Sequence, residues 1–404
     1  MSKASRVYPT DLLGLSRLAI DGTLRLTDLI EIMHHNITAG PGIFGTPEPG
    51  ATSGITGLVY NAVRAVTGLV GTEIDTILTP LIPMLGDGRP TPERDAVLSA
   101  LNGVIGDYLA ATHNPLAITM RFRRKGEPLT LETPALGAAI PHPSRKLVVL
   151  VHGLCMSDRQ WTRKGHNHGT ALARDLGYTP IDLHYNGGLH ISTNGRAFAA
   201  LIEDLLDQWP VPLEEFSIVA HSLGGLVARS AYHYGAAAGY RWPRRLGRLI
   251  FLGTPHHGAL LERVGNWVDF ILEQNPCTSP FARLGKIRSA GITDLRYGNL
   301  LDEDWEGRDR FDHSGDLRRP VPLPANVQCC AIAGTTERQH AGLSCGLPGD
   351  GLVSVSSALG RHHEPGRSLA IADTRQWIGY GMNHLDLLNR PAVYRKILHW
   401  LTGN

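Results

Sequence analysis

Short, fully apolar runs alternate with longer amphipathic ones from residue 146 to the C-terminus, and this rhythm limits the fold more than any other feature. Residues 146–151 read KLVVLV, a continuous apolar run of the kind a parallel strand buried on both faces requires. Comparable runs recur at 180–185, 216–220, 249–253, 327–334 and 368–371. Helix-period runs lie between or after them at 196–209, 223–238 and 392–401. Strand and helix in alternation predict an α/β fold, a mostly parallel sheet with helices on both faces. Just upstream, 116–123 and 129–132 flank Gly126-Glu127-Pro128 and read as a hairpin opening that sheet.

Two stretches break the rhythm. Residues 1–115 show helical stripes instead, such as Leu26, Leu29, Ile30 and Met33. A second stripe runs from Ile55 to Val70 and a third from Val97 to Leu109, with Gly/Pro-rich segments at 40–54 and 85–91 between them. We read 1–115 as an N-terminal helical region and 116–404 as the sheet domain. About 70 residues separate the strands near 253 and 327, far more than an ordinary connection. They hold an apolar stripe (Leu260, Val264, Trp267, Val268, Ile271) and are read as a cap or lid inserted at about 258–326.

The 404 residues carry 39 basic and 37 acidic side chains, a formal charge of +2, which argues against a nucleic-acid partner. The five cysteines (155, 277, 329, 330, 345) show no C-x-x-C spacing, so neither a disulfide framework nor a zinc site is expected. Adjacent Cys329 and Cys330 sit in an apolar run and read as small buried hydrophobes. The N-terminus has no secretory apolar core, and no run is long enough to span a bilayer. Location in the cytoplasm is the resulting expectation, and contact with a lipid surface would be peripheral. The Ile55–Val70 stripe has Arg64 as its one basic residue, which argues against an interfacial helix.

The chemistry concentrates in Ala220-His221-Ser222-Leu223-Gly224-Gly225, which follows an apolar strand and opens a helix. A serine at such a strand-to-helix turn has its hydroxyl pushed out of the sheet, and small neighbours let strand and helix approach. Upstream, Val151-His152-Gly153-Leu154 also follows a strand. The backbone N–H groups of Leu154 and Leu223 are the candidate oxyanion donors. A serine of this kind needs an acid and then a base later in the chain. Asp350, in Gly349-Asp350-Gly351-Leu352-Val353, and His384, in Met382-Asn383-His384-Leu385-Asp386, supply them in that order. His362 and His363 compete as the base and Asp386 as the acid, but their positions fit the order less well. Among 19 histidines, His152, His221, His256 and His257 belong to strand-end motifs and are pocket-lining candidates.

These motifs, VHGL (151–154), AHSLGG (220–225), GTPHHG (253–258), GDGLVSVSSA (349–358) and MNHLDLL (382–388), resemble those of α/β-hydrolase-fold lipases and esterases. The set is similar to bacterial lipases and to hydrolases related to GPI inositol-deacylases. The resemblance covers residues 116–404. It implies a Ser222–Asp350–His384 triad and a serine carboxylic-ester hydrolase acting on small-molecule or lipid esters, with no cofactor. Some lipases of this group hold structural calcium through a carboxylate matching Asp386. No second ligand is matched here, and no metal is assigned. An acyltransferase or thioesterase would use the same triad, and a non-catalytic binding protein would keep only the fold.

Overall fold

A computed structural model describes residues 9–38, 60–61, 63–65, 67–69, 72, 92–259, 288–309, 315–338 and 348–403. The chain divides into two compact units, Met1–Arg89 with Ala111–Leu116, and Pro90–Ala110 with Ala117–Asn404. The division gives residues 90–110 to the sheet unit, whereas the sequence texture drew its boundary near 115. The reason lies in packing. Ala100 and Val104 of the helix Pro92–Ala111 join the core on one face of the sheet.

In the first unit, the helix Pro9–Thr38 carries the 9–38 segment. The Asn114 amide donates to the Gly14 carbonyl at 3.0 Å. Arg64 pairs with Asp28 at 2.7 Å and with the buried Glu31 carboxylate. The stripe at 55–70 is described only in part, and its residues 60–61, 63–65 and 67–69 are helical. The segments at 40–54 and 85–91 lie outside the described residues, as do the side chains of the Leu26 to Met33 stripe.

The second unit is built on one sheet. Its strands are β1 (Arg121–Arg124), β2 (Glu127–Pro128), β3 (Lys146–Val151), β4 (Thr179–His184), β5 (Glu215–His221), β6 (Leu246–Leu252), β7 (Gln328–Thr335) and β8 (Gln376–Tyr380). Their spatial order is β2-β1-β4-β3-β5-β6-β7-β8. All pairings from β4 across to β8 are parallel, and the β1–β2 hairpin joins the β4 edge antiparallel. Strand order reverses beside β3, where β4 lies on one side and β5 on the other. Open α/β sheets place ligands outside the strand carboxyl ends at such a switch point.

Continuous apolar strands are required because both faces are covered. Leu147, Val149 and Val151 enter one core cluster, while Val148 and Leu150 enter the other. The helix Leu223–Ala237 sends Leu226, Val227 and Ala231 into the first. The helix Pro391–Thr402 sends Val393, Ile397 and Leu401 into the second. The mostly parallel sheet covered on both faces is what the sequence rhythm predicts, and it is the α/β-hydrolase fold that the motif resemblance implies.

Two local expectations need correction. The last strand is Gln376–Tyr380, paired with Ala331–Thr335, and not 368–371. Residues 368–371 are irregular because Leu369 N–H bonds back to Gly360 O, so that backbone is spent on a loop. The second arm of the hairpin is also shorter than 129–132, ending at Pro128 with one more bond from Leu129 N–H to Phe122 O. Cys329 and Cys330 are buried, as expected, and burial pushes both thiols up to about 12. The stripe at 260–271 lies outside the described residues. Further along that interval, the 288–305 part is anchored by Ser289 Oγ on Gly103 O and by Trp305 Nε1 on Ser192 Oγ.

Candidate active site

Five strand ends meet at the carboxyl edge of the sheet. β3 runs out into His152–Leu154, β5 into Ser222, β6 into Gly253–His257, β7 leads to Asp350, and β8 leads to His384. Parallel pairing brings residues from five distant stretches to one edge.

Ser222 sits at the turn between β5 and the helix Leu223–Ala237 with φ 55° and ψ −125°. A serine in that conformation is strained by about 1–3 kcal/mol. Two backbone bonds hold it, Ser222 N–H to Leu252 O at 2.9 Å and Gly225 N–H to Ser222 O at 3.0 Å. The helix start presses on the end of β3 so closely that a Cβ at Gly224 would lie 2.5 Å from the His152 carbonyl oxygen. The next strand end is equally close, since a Cβ at Gly153 would lie 3.1 Å from Ser222 Cβ. The small residues of the two motifs are thus the condition for bringing both strand ends against the serine.

Asp350 and His384 are joined directly. His384 Nδ1–H donates to Asp350 Oδ2 at 2.7 Å, with both side chains fully buried. The other carboxylate oxygen, Oδ1, accepts from Leu352 N–H at 3.0 Å and Val353 N–H at 2.9 Å. His384 N–H also donates to Asp350 O at 3.0 Å. The carboxylate is therefore locked by its own loop, and it fixes the imidazole with Nδ1 protonated and Nε2 carrying the lone pair. Ser222 Oγ is buried and makes no hydrogen bond among the described residues. The Leu154 and Leu223 N–H groups are likewise without an acceptor among the described residues, on residues that are fully buried. Buried backbone donors are seldom left so, and these two stand at the β3 exit and the elbow.

The neighbouring histidines differ. His221 Nε2–H donates to the His384 carbonyl at 3.2 Å, and the two rings lie 4.6 Å apart. Burial holds His221 well below its usual range. His152 stacks on Tyr185 at 4.4 Å, and burial pushes it down to about 3. The Tyr185 hydroxyl donates to His152 O at 2.8 Å, fixing the β3 exit. Both histidines are neutral packing groups next to the serine.

His256 and His257 do line a cavity, but it is one of about 300 Å³ also lined by Arg229 and Arg318, not by Ser222, Asp350 or His384. His362 packs its ring 4.9 Å from His257, and His363 is exposed beside Glu364. Neither meets Asp350 in a hydrogen bond among the described residues. Asp386 caps the turn after Asn383 and pairs with Arg390 at 3.1 Å. Among the described residues, the one group with metal-ligand geometry is His362, His363 and Glu364, two of them exposed.

Sequence reasoning missed the tyrosine that holds the β3 exit and the arginines around His256. A lone Arg229 within the apolar run 223–231 was the available signal for the latter.

Residues 141–273 match a family described as "Putative serine esterase (DUF676)". No curated protein matches the chain. Among solved structures, it is similar to the mature form of a Bacillus licheniformis lipase, BlEst2, at 18% identity and a TM-score of 0.42, covering 65% of this chain and 95% of that one. An esterase of Pyrococcus furiosus, Pf2001, aligns at 12% identity and a TM-score of 0.36, covering 64% and 81%. Phospholipase PlaB of Legionella pneumophila aligns at 15% identity and a TM-score of 0.33, covering 53% and 44%. With its α/β-hydrolase sheet and the match of residues 141–273 to a putative serine esterase family, the chain resembles the serine lipases and esterases.

Proposed function

We propose that this protein is a carboxylic-ester hydrolase acting on apolar acyl esters, with Ser222 as nucleophile, His384 as general base and Asp350 as its orienting carboxylate. The observation that carries this reading is the buried 2.7 Å bond from His384 Nδ1–H to Asp350 Oδ2, beside the strained elbow serine. A base needs its lone pair on the nitrogen facing the nucleophile, and a carboxylate on Nδ1 selects that tautomer.

Ser222 Oγ attacks the ester carbonyl carbon as its proton passes to His384 Nε2. Asp350 stabilises the imidazolium that forms. The carbonyl oxygen becomes an oxyanion and accepts from the Leu154 and Leu223 N–H groups, and the place of Leu223 at the helix start adds positive potential. The tetrahedral intermediate collapses, the alkoxide leaves with the proton from His384, and the acyl group stays on Ser222. Water then attacks the acyl-enzyme with His384 again as base, releasing the acid.

The test is hydrolysis of nitrophenyl esters of graded chain length by wild type and Ser222→Ala. We expect turnover by wild type and none above background in the variant. Equal rates for the two proteins overturn the reading. Adding a short alcohol and analysing products separates hydrolysis from acyl transfer, since both nucleophiles compete for one acyl-enzyme.

A further inference from the structure

The cavity of about 300 Å³ is lined by Arg229, His256, His257, Arg318, Arg319 and Arg367, together with Leu300 and the stretch 320–323. Asp304 is the one carboxylate in its wall. That carboxylate is already engaged, accepting from the N–H groups of Leu300, Leu301 and Arg319 at 2.8–3.0 Å. Behind the wall, Asp316 pairs with both Arg318 and Arg367, and Glu364 with Arg367.

Arg229 is different. Its guanidinium is buried within the sheet unit, and among the described residues no carboxylate lies within 4.0 Å of it. It donates to two neutral acceptors, His256 Nδ1 at 3.3 Å and Val321 O at 2.6 Å, and its Nε–H has no partner. Burial lowers this arginine to about 9, so it remains cationic at neutral pH. Because His256 Nδ1 accepts from Arg229, its proton sits on Nε2, a further buried donor without a partner. Burial pushes His257 down to about 4, so it is neutral. Arg319 stands exposed at the rim with no ion pair among the described residues. The corner is rich in donors and poor in negative charge. A buried cation without a counter-charge is costly, and an anion in the cavity removes that cost.

We propose that the cavity beside Arg229 binds a compact oxyanion group, a carboxylate or a phosphoryl, as a ligand separate from the ester at Ser222. The arginines supply the charge. The apolar wall at Leu300, Val321 and Leu323 accommodates an attached hydrocarbon portion. Arg229 lies seven residues along the helix that starts after Ser222, about 10 Å from the nucleophile at 1.5 Å per residue.

The test is calorimetric titration of the full chain with inorganic phosphate and, separately, with hexanoate, at constant ionic strength balanced by chloride. One-site saturation by either anion is expected. Arg229→Gln and Arg319→Ala should each weaken it by about tenfold or more, the loss typical of a charge-assisted hydrogen bond. Arg241→Ala, whose guanidinium already pairs with Glu203 and Asp207 elsewhere, should leave the affinity unchanged. Arg319 is exposed, so its variant carries the test even where Arg229→Gln does not fold. Saturation by phosphate alone assigns a phosphoryl ligand, and by hexanoate alone a carboxylate. Absence of saturation by both anions, or an affinity unchanged in Arg319→Ala, overturns the proposal.

Discussion

Two histidine corners stand at the carboxyl edge of one sheet, and their neighbours give them opposite properties. At the end of β8, His384 meets a carboxylate whose second oxygen is held by two backbone N–H groups. At the end of β6, His256 meets the Arg229 guanidinium, and His257 sits near that arginine and Arg318, which depress it further. A carboxylate on Nδ1 favours taking up a proton at Nε2, while a cation beside the ring opposes it. Being a histidine near the serine therefore decides little. What decides is the charge on the atom its ring nitrogen touches.

The sharpest way to break this contrast is to remove Ser222, the proposed nucleophile of the first corner. Ser222→Ala should lower kcat for a nitrophenyl ester by about four orders of magnitude or more. Burst kinetics and labelling by a fluorophosphonate should vanish with it, and retention of either sinks the assignment. Asp350→Asn keeps the shape of the first corner but replaces the acceptor that selects the imidazole tautomer. It should cost roughly three to four orders of magnitude in kcat with KM little changed. A loss below about tenfold would move the carboxylate role elsewhere, with Asp386 as the next candidate.

A smaller effect is expected from the packing that brings the strand ends together. Gly224→Ala forces a Cβ against the His152 carbonyl and should destabilise the fold by about 1–3 kcal/mol, read as a lower urea midpoint. Activity should fall as well, because the same contact sets the Leu154 N–H against the elbow. The smallest effect lies at the second corner. His257 is held down to about 4 in the fold against about 6.5 when unfolded. The unfolded chain therefore binds the proton first, and stability falls as pH drops from about 6.5 toward 4. His257→Asn should flatten that part of the pH–stability curve while leaving kcat near neutral pH within about threefold. A curve of unchanged slope would mean that His257 is not neutral in the fold.

Much of the sheet was legible because its strands are buried on both faces and so lack polar residues, as in KLVVLV. The last strand was misplaced for the same reason. Gln376–Tyr380 carries Gln, Gly and Tyr at a half-buried sheet edge, while the apolar residues 368–371 spend their hydrogen bonds within a loop. The stripe at 97–109 looked like its N-terminal neighbours, since helical period says which face is apolar but not what it packs against. Ser222, Asp350 and His384 were nameable because each sits in a short motif in chain order. Arg229 was not, because an arginine inside an apolar helix carries no motif.

The sequence alone determined the layer architecture, the turn at Ser222 and the order in which Asp350 and His384 follow it. Those properties rest on local periodicity and on small residues at fixed offsets. Which histidine meets a carboxylate, and which meets an arginine, was decided only by the tertiary structure. Parallel pairing sets β5, β6, β7 and β8 side by side, so that groups as far apart as His221 and His384, 163 residues, come within hydrogen-bond distance. Pairing across such separations follows from strand order, which no local stretch of the chain encodes.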